Sequence, residues 1–217
     1  MEYYILEEAS DTNETGSAYP QVAGMSPGYD FSAPNSIHRL NGDRLPDFEP
    51  ALDRIMLDKE ARLTDVVSTV LSAFGFLASH RLKLLLERFR MPLHKFHTSK
   101  IEHRGKIRDD YFWFHPVGNL SKYVDYEKTA FFARDDFNNR ERLLISSLKE
   151  IDEHRPTLGH TKRIVCERLI FVDNYKIDLD LFEIGGFDFR TYVSPKLRDK
   201  LISDKITGIE LTPVNFI

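Results

Sequence analysis

Two stretches of this chain repeat one another at a fixed spacing, and that repeat constrains the fold more than any other feature. Phe76-Leu77-Ala78-Ser79-His80-Arg81-Leu82 runs on to Leu86, and Thr191-Tyr192-Val193-Ser194-Pro195-Lys196-Leu197 runs on to Leu201. In both, a serine follows two small or apolar residues, and leucines fall three and seven positions after it. A serine hydroxyl at a helix N-cap accepts a hydrogen bond from an otherwise unpaired N–H of the first turn. Positions three and seven beyond the cap share one helix face. Pro195 suits the first helical position, where a missing N–H costs nothing. The pattern predicts two strand–helix–strand units in a duplicated or pseudo-symmetric arrangement. Capping signatures are frequent, so a chance recurrence of one cap is the competing reading.

Around these units the chain is rich in strands. Tyr3 to Leu6 reads as a strand, central or covered. Residues 9–50 hold Pro20, Pro27, Pro34, Pro46 and Pro50, with Gly16, Gly24, Gly28 and Gly42 between them. Such a segment sustains neither a long helix nor a central strand. Its scattered apolar residues, Ile37, Leu40 and Phe48 among them, predict that it packs along the domain surface. Arg54 to Leu57 reads as a weak strand. Thr64-Asp65 reads as the cap of a helix carrying Val66, Val67, Val70, Leu71 and Phe74, ended by Gly75. His94 to Ile101, Tyr111 to Val117, Arg163 to Val172 and Ile206 to Val214 read as strands, and Tyr123 to Phe132 supplies one or two more. Asn139 reads as the cap of a helix with Leu144, Ile145, Leu148 and Ile151. Lys176 to Ile184 reads as a half-buried strand, with Ile177, Leu179 and Leu181 facing one way and Asp178 and Asp180 the other. Strands dominate about four helices without regular alternation, which predicts an α+β fold built on a mixed or antiparallel sheet. One domain over 1–217 is expected, with 1–105 and 106–217 as candidate lobes.

Charge and cysteine content narrow the function classes. The 217 residues hold 34 acidic and 30 basic side chains, a formal net charge of −4. That balance lacks the basic surplus of a typical nucleic-acid binder. Cys166 is the one cysteine, so no internal disulfide forms, which fits a reducing compartment. The first residues are acidic with a short apolar run, unlike a secretory signal. No run approaches the length needed to span a bilayer. A cytoplasmic location is the expectation.

Candidate chemistry is sparse. His94, His97, His103 and His115 cluster in sequence, but a strand would send His94 and His97 to opposite faces. No cysteine or carboxylate completes a zinc signature, so a polar strand or loop near solvent is the better reading. Asp178 and Asp180 have the spacing of paired carboxylates that do acid–base work. The alternation around them equally describes the wet face of a strand. Cys166 reads as a small hydrophobe, and Ser79 and Ser194 sit in no GxSxG. The aromatic run at Trp113 reads as core or interface packing, since no basic patch surrounds it. No GxGxxG, P-loop or HExxH occurs. No catalytic residue, metal ligand or cofactor is assigned. Asp109-Asp110 and Asp135-Asp136 read as solvated turns or, more sharply, as an acidic recognition patch for a basic partner.

The serine-capped unit near the C-terminus carries a resemblance. Asp180-Leu181-Phe182-Glu183-Ile184, Tyr192-Val193-Ser194-Pro195-Lys196-Leu197 and Lys205-Ile206-Thr207-Gly208-Ile209-Glu210-Leu211-Thr212-Pro213-Val214 resemble a family of bacterial immunity proteins. That family was long described as a domain of unknown function and then assigned, by genome context, to polymorphic-toxin systems. Tyr3-Tyr4-Ile5, Leu45-Pro46-Asp47-Phe48-Glu49-Pro50, Leu63-Thr64-Asp65, Gly75-Phe76-Leu77-Ala78-Ser79 and Tyr111-Phe112-Trp113 are also similar to this type of protein, so the resemblance touches most of the chain in patches. Ala78 departs from it, standing where the pattern has a larger apolar residue. The resemblance implies non-catalytic sequestration of a cognate toxin through an extended complementary surface. It implies a protein partner, with no nucleic acid, membrane or cofactor. The competing readings are a hydrolase of unrecognised type, using Asp178/Asp180 or the His94–His115 cluster, and a scaffold with a non-toxin partner.

Overall fold

A computed structural model describes residues 2–16, 18–159, 161–173 and 175–215. Among them are thirteen strands and four α-helices, an α+β fold. The first half holds β1 (Glu2–Glu8), α1 (Thr12–Thr15), β2 (Val22–Met25), β3 (Ile55–Leu57), β4 (Val66–Val67), β5 (Phe76–Ser79), α2 (His80–Leu86) and β6 (His94–His103). The second half holds β7 (Lys106–Pro116), β8 (Ala130–Asp135), β9 (Arg140–Leu143), α3 (Leu148–His154), β10 (Lys162–Arg168), β11 (Leu181–Phe182), β12 (Thr191–Val193), α4 (Pro195–Ser203) and β13 (Ile209–Asn215). They form a six-stranded sheet, β2-β3-β6-β7-β5-β4, a four-stranded sheet, β11-β12-β1-β13, and a three-stranded sheet, β10-β8-β9.

The sequence repeat is a structural duplication. In one copy Val66 faces Ala78, Ala78 faces Phe112, and Phe112 faces Thr98. In the other Leu181 faces Val193, Val193 faces Tyr4, and Tyr4 faces Pro213. All these pairs are antiparallel, and the order β4-β5-β7-β6 matches β11-β12-β1-β13. One connection differs. β6 and β7 are joined as a hairpin, whereas β13 and β1 are remote in sequence and pair side by side. The second copy is therefore related to the first by a circular permutation, and β1 is central as predicted.

Each helix cap is built on a buried aspartate that lies fourteen residues before its serine. The Ser79 hydroxyl accepts from the Leu82 N–H (3.1 Å) and donates to Asp65 Oδ1 (2.7 Å). The Ser194 hydroxyl accepts from the Leu197 N–H (3.2 Å) and donates to Asp180 Oδ1 (2.8 Å). The second carboxylate oxygens cross over. Asp65 Oδ2 accepts from the N–H and hydroxyl of Thr207, both at 3.1 Å, just after α4. Asp180 Oδ2 accepts from the Arg90 N–H (3.0 Å), just after α2. Each copy's carboxylate thus holds the chain leaving the other copy's helix. Between them Leu82, Leu85 and Leu86 of α2 pack with Leu197 and Leu201 of α4, Leu6 and Phe114. Each fully buried leucine contributes roughly 2 kcal/mol.

A second core lies around Trp113, Ile55, Leu77 and Ile101, covered by Ile37 and Leu40 of the long proline- and glycine-rich segment. That segment packs on the domain as expected. Gly75 has φ +87°, and a Cβ there would lie 1.8 Å from the Phe114 carbonyl oxygen, so only glycine fits between β5 and β7.

Several expectations are corrected. Residues 64–74 form β4 and an irregular stretch, not a helix, because the Asp65 carboxylate is engaged by Ser79 and Thr207 while Val66 and Val67 pair with β5. Asn139 caps no helix. It donates to Asp135 in the β8–β9 turn, and α3 starts later, capped by Ser147 accepting from the Glu150 N–H (3.3 Å). Only Leu181–Phe182 of the stretch 176–184 is a strand. Asp180 is buried while Asp178 is exposed, so the two carboxylates do not share a wet face. The strand starting near Arg163 ends at Arg168. The division between 105 and 106 falls in the turn of the β6–β7 hairpin, so both halves contribute to one sheet.

Candidate partner interface

The four aspartates proposed as a recognition patch lie on two different sheets. Asp109 and Asp110 are on β7, where Arg108 grips Asp110 through Nε (2.9 Å) and Nη2 (2.6 Å). That bond holds the Asp110 carboxyl below the usual range. Asp135 closes the β8–β9 turn, accepting from the N–H groups of Phe137 (3.0 Å) and Asn139 (2.8 Å) and from the Asn139 amide (2.9 Å). Asp136 is exposed in the same turn. Asp109 and Asp110 thus belong to the six-stranded sheet, and Asp135 and Asp136 to the end of the three-stranded one.

Three of the four clustered histidines are bonded to the scaffold, whereas the buried Nε2 of His103 has no hydrogen-bond partner among the described residues. His97 and His115 are buried, contrary to the expectation of a strand near solvent. His97 Nδ1 pairs with Glu49 (2.9 Å), and His115 Nε2–H donates to the Asn41 carbonyl (2.8 Å). Lys95 also reaches Glu49. These bonds pin the 41–49 part of the long segment onto β6 and β7. Burial lowers the pKa of both imidazoles, which keeps them neutral near pH 7. His94 Nδ1 bonds the Pro92 carbonyl (2.7 Å). No group of three metal-ligating side chains that could hold an ion occurs among the described residues. Burial, and then the charge of Asp188, pushes the Cys166 thiol up to about 12, so its nucleophilic thiolate is scarce at neutral pH.

The three-stranded sheet presents a different kind of surface. Phe131 of β8 points inward onto Ile145 and Ile151 of the α3 region, with Leu143, Ile164 and Cys166 on the same side, and Ala133 two residues on is buried as well. Alternation along the strands turns the other residues outward. Register sets Arg140, Arg134 and Arg163 abreast across β9, β8 and β10. Arg142, Phe132 and Val165 form the next row, and Arg168 faces Ala130 beyond it. Glu167, at a bulge in β10, is the one carboxylate these strands turn outward, and it binds Arg140 (2.8 Å). The Arg140 guanidinium lies 5.9 Å from the Phe132 ring centre. Arg134, Arg142, Arg163 and Arg168 make no ion pair among the described residues.

An open cleft of about 600 Å³ runs beside β10, lined by Arg134, Arg163, Cys166, Asp188, Phe189 and Arg190. Its Asp188 is buried and already saturated, accepting from Arg190 (2.5 Å) and the Tyr192 hydroxyl (2.7 Å). The free charge at this end of the molecule belongs to the arginine rows. The sequence reads Arg163 and Arg168 as strand-surface charges but does not collect the five, because arginines spread over 134–168, among acidic neighbours, show no run. Only strand register collects them.

Like charges directly opposite on a sheet repel. Arg163→Gln should therefore leave stability unchanged or raise it by up to about 0.5 kcal/mol at low salt, with the gain fading at high salt. Urea unfolding at two ionic strengths measures this. A loss above about 1 kcal/mol would show that Arg163 is held for the fold rather than for a partner. No protein-family model and no curated protein matches this chain.

Proposed function

We propose that the protein is an immunity protein that binds and neutralises a cognate bacterial toxin by sequestration in the cytoplasm, without catalysis. The observation that carries this reading is the outward face of β10-β8-β9. It is a sheet surface whose strands turn five arginines outward against one carboxylate, with exposed Leu144 just past the end of β9. Buried aromatic anchors and arginines concentrate the energy of protein interfaces. The resemblance in the capped units and the opening strand supports the same reading.

The residues on which a hydrolase would draw are engaged elsewhere. Asp180 is bonded to Ser194 and Arg90, Asp178 is paired with Arg90, and His97 and His115 are buried against Glu49 and Asn41. No helix among the described residues is long and apolar enough to cross a membrane.

Co-expression with the product of the neighbouring toxin gene tests the proposal. The toxin alone should arrest growth, and this chain should restore it in proportion to the amount expressed, forming a complex that co-elutes in gel filtration. If cells stay arrested at equal expression, the reading is wrong.

A further inference from the structure

We propose that the outward face of β10-β8-β9 docks a carboxylate-rich surface of a protein partner. This inference rests on the sequestration reading above and names the chemistry of the partner. Arg134, Arg140 and Arg163 stand in one row, with Arg142 and Arg168 beside it. Among the strand residues one outward carboxylate, Glu167, answers them, and Asp136 is exposed in the β8–β9 turn. The whole chain carries a formal charge of −4, so this concentration of positive charge runs against the net balance. Adjacent strands lie about 4.8 Å apart, which sets the guanidinium groups close enough to repel. An acidic surface turns that repulsion into attraction. Guanidinium forks also match carboxylates through two parallel bonds.

The composition of the face favours a protein. Its five outward cations are all arginine, with Phe132 and Val165 between them. Leu144 is 85% exposed just past β9, and Phe137 is 89% exposed in the β8–β9 turn. Arginine with aromatic and aliphatic anchors and little lysine is the composition of interface cores. Successive bases of a single-stranded nucleic acid need several free ring faces, whereas among the described residues this face offers Phe137 alone, Phe132 carrying the Arg140 guanidinium over its ring. A second copy of this chain docking face to face would set arginine against arginine. Arg140, Arg142, Arg163 and Arg168 are exposed, so they also steer approach.

The test uses Arg134→Glu/Arg163→Glu, with Arg142→Glu as a second variant at an exposed position and Arg88→Glu as a control in the turn after α2. Far-UV circular dichroism and urea midpoints confirm that each is folded. In cells carrying the toxin, rescue by wild type and Arg88→Glu but not by the sheet variants supports the inference. Rescue by all of them overturns it and leaves the immunity reading standing. If none rescues, including wild type, the immunity reading falls, and a second measurement decides the inference alone. A labelled 20-residue poly-glutamate peptide, a 20-nucleotide single-stranded RNA and phosphatidylserine vesicles are each titrated at 50 and 300 mM NaCl. The peptide should bind wild type at least tenfold more tightly than the double variant. Equal peptide affinity for both, or tighter binding of RNA or vesicles through the same arginines, overturns the proposal.

Discussion

Asp180→Ala should destabilise the protein by about 3 kcal/mol and lower its thermal midpoint by roughly 10 °C. Asp180 is 5% exposed, and its carboxylate accepts from two groups that have no other acceptor among the described residues, the Ser194 hydroxyl and the Arg90 N–H. Removing it leaves both donors unpaired in a largely closed site, and each such loss costs about 1–3 kcal/mol. Asp178→Ala, two residues away, should change stability by less than about 0.5 kcal/mol, because its pairing with Arg90 is solvent-exposed on both sides. Asp65→Ala should resemble Asp180→Ala, since Asp65 holds Ser79 and Thr207 in the same way. The crossover makes a stronger prediction. Each aspartate ties its own copy to the segment after the other copy's helix, so loss of either loosens one shared junction. The double variant should cost less than the sum of the singles by 1 kcal/mol or more. Urea denaturation of the four proteins measures the cycle, and strict additivity would mean that the two copies are not coupled through these carboxylates.

How much of this was legible in the sequence depends on how local each signal is. Ser79 and Ser194 announced their helices because a cap acts within three residues of itself. The matching spacing to Leu82 and Leu197 then exposed the duplication. Asp65 and Asp180 were misread because their partners lie fourteen residues ahead or in the other copy. Read locally, Asp65 looks like a cap and Asp180 like the wet side of a strand. The β8–β9 hairpin was hidden for a related reason. Asn139 has the composition of a helix cap, but Asn138 at φ 65° and the Asp135 carboxylate use that stretch as a turn. The arginine face lay furthest from view. Arg134 and Arg163 are neighbours only through strand pairing, and no sequence spacing encodes that.

Glu183→Gln should flatten the pH dependence of stability and make the protein more stable than wild type at pH 8. Glu183 is 1% exposed, its Oε2 has no hydrogen-bond partner among the described residues, and Oε1 receives only a long bond from the Thr191 hydroxyl (3.4 Å). Burial, with a smaller push from Asp188 and against that hydroxyl, raises its pKa from an ordinary 4.5 to about 8. The folded state therefore keeps a proton that the unfolded state releases between those two values. Below pH 4.5 both states hold it and the stabilising difference is fully present. As pH rises toward 8 the unfolded state gains relative to the folded one, at about 1.4 kcal/mol per pH unit. Over the window the loss is roughly 4–5 kcal/mol. Glu8, raised by burial to about 7 and partly offset by the Thr69 N–H, adds a slope of the same sign that ends one unit lower. Between pH 7 and 8 the decline is thus due mainly to Glu183. A glutamine cannot ionise, so the variant should match wild type to within about 1 kcal/mol at pH 5 and exceed it by 2 kcal/mol or more at pH 8. Urea midpoints at half-unit steps from pH 5 to 8.5 decide the matter, and parallel curves for the two proteins would mean that Glu183 is ionised in the folded state throughout.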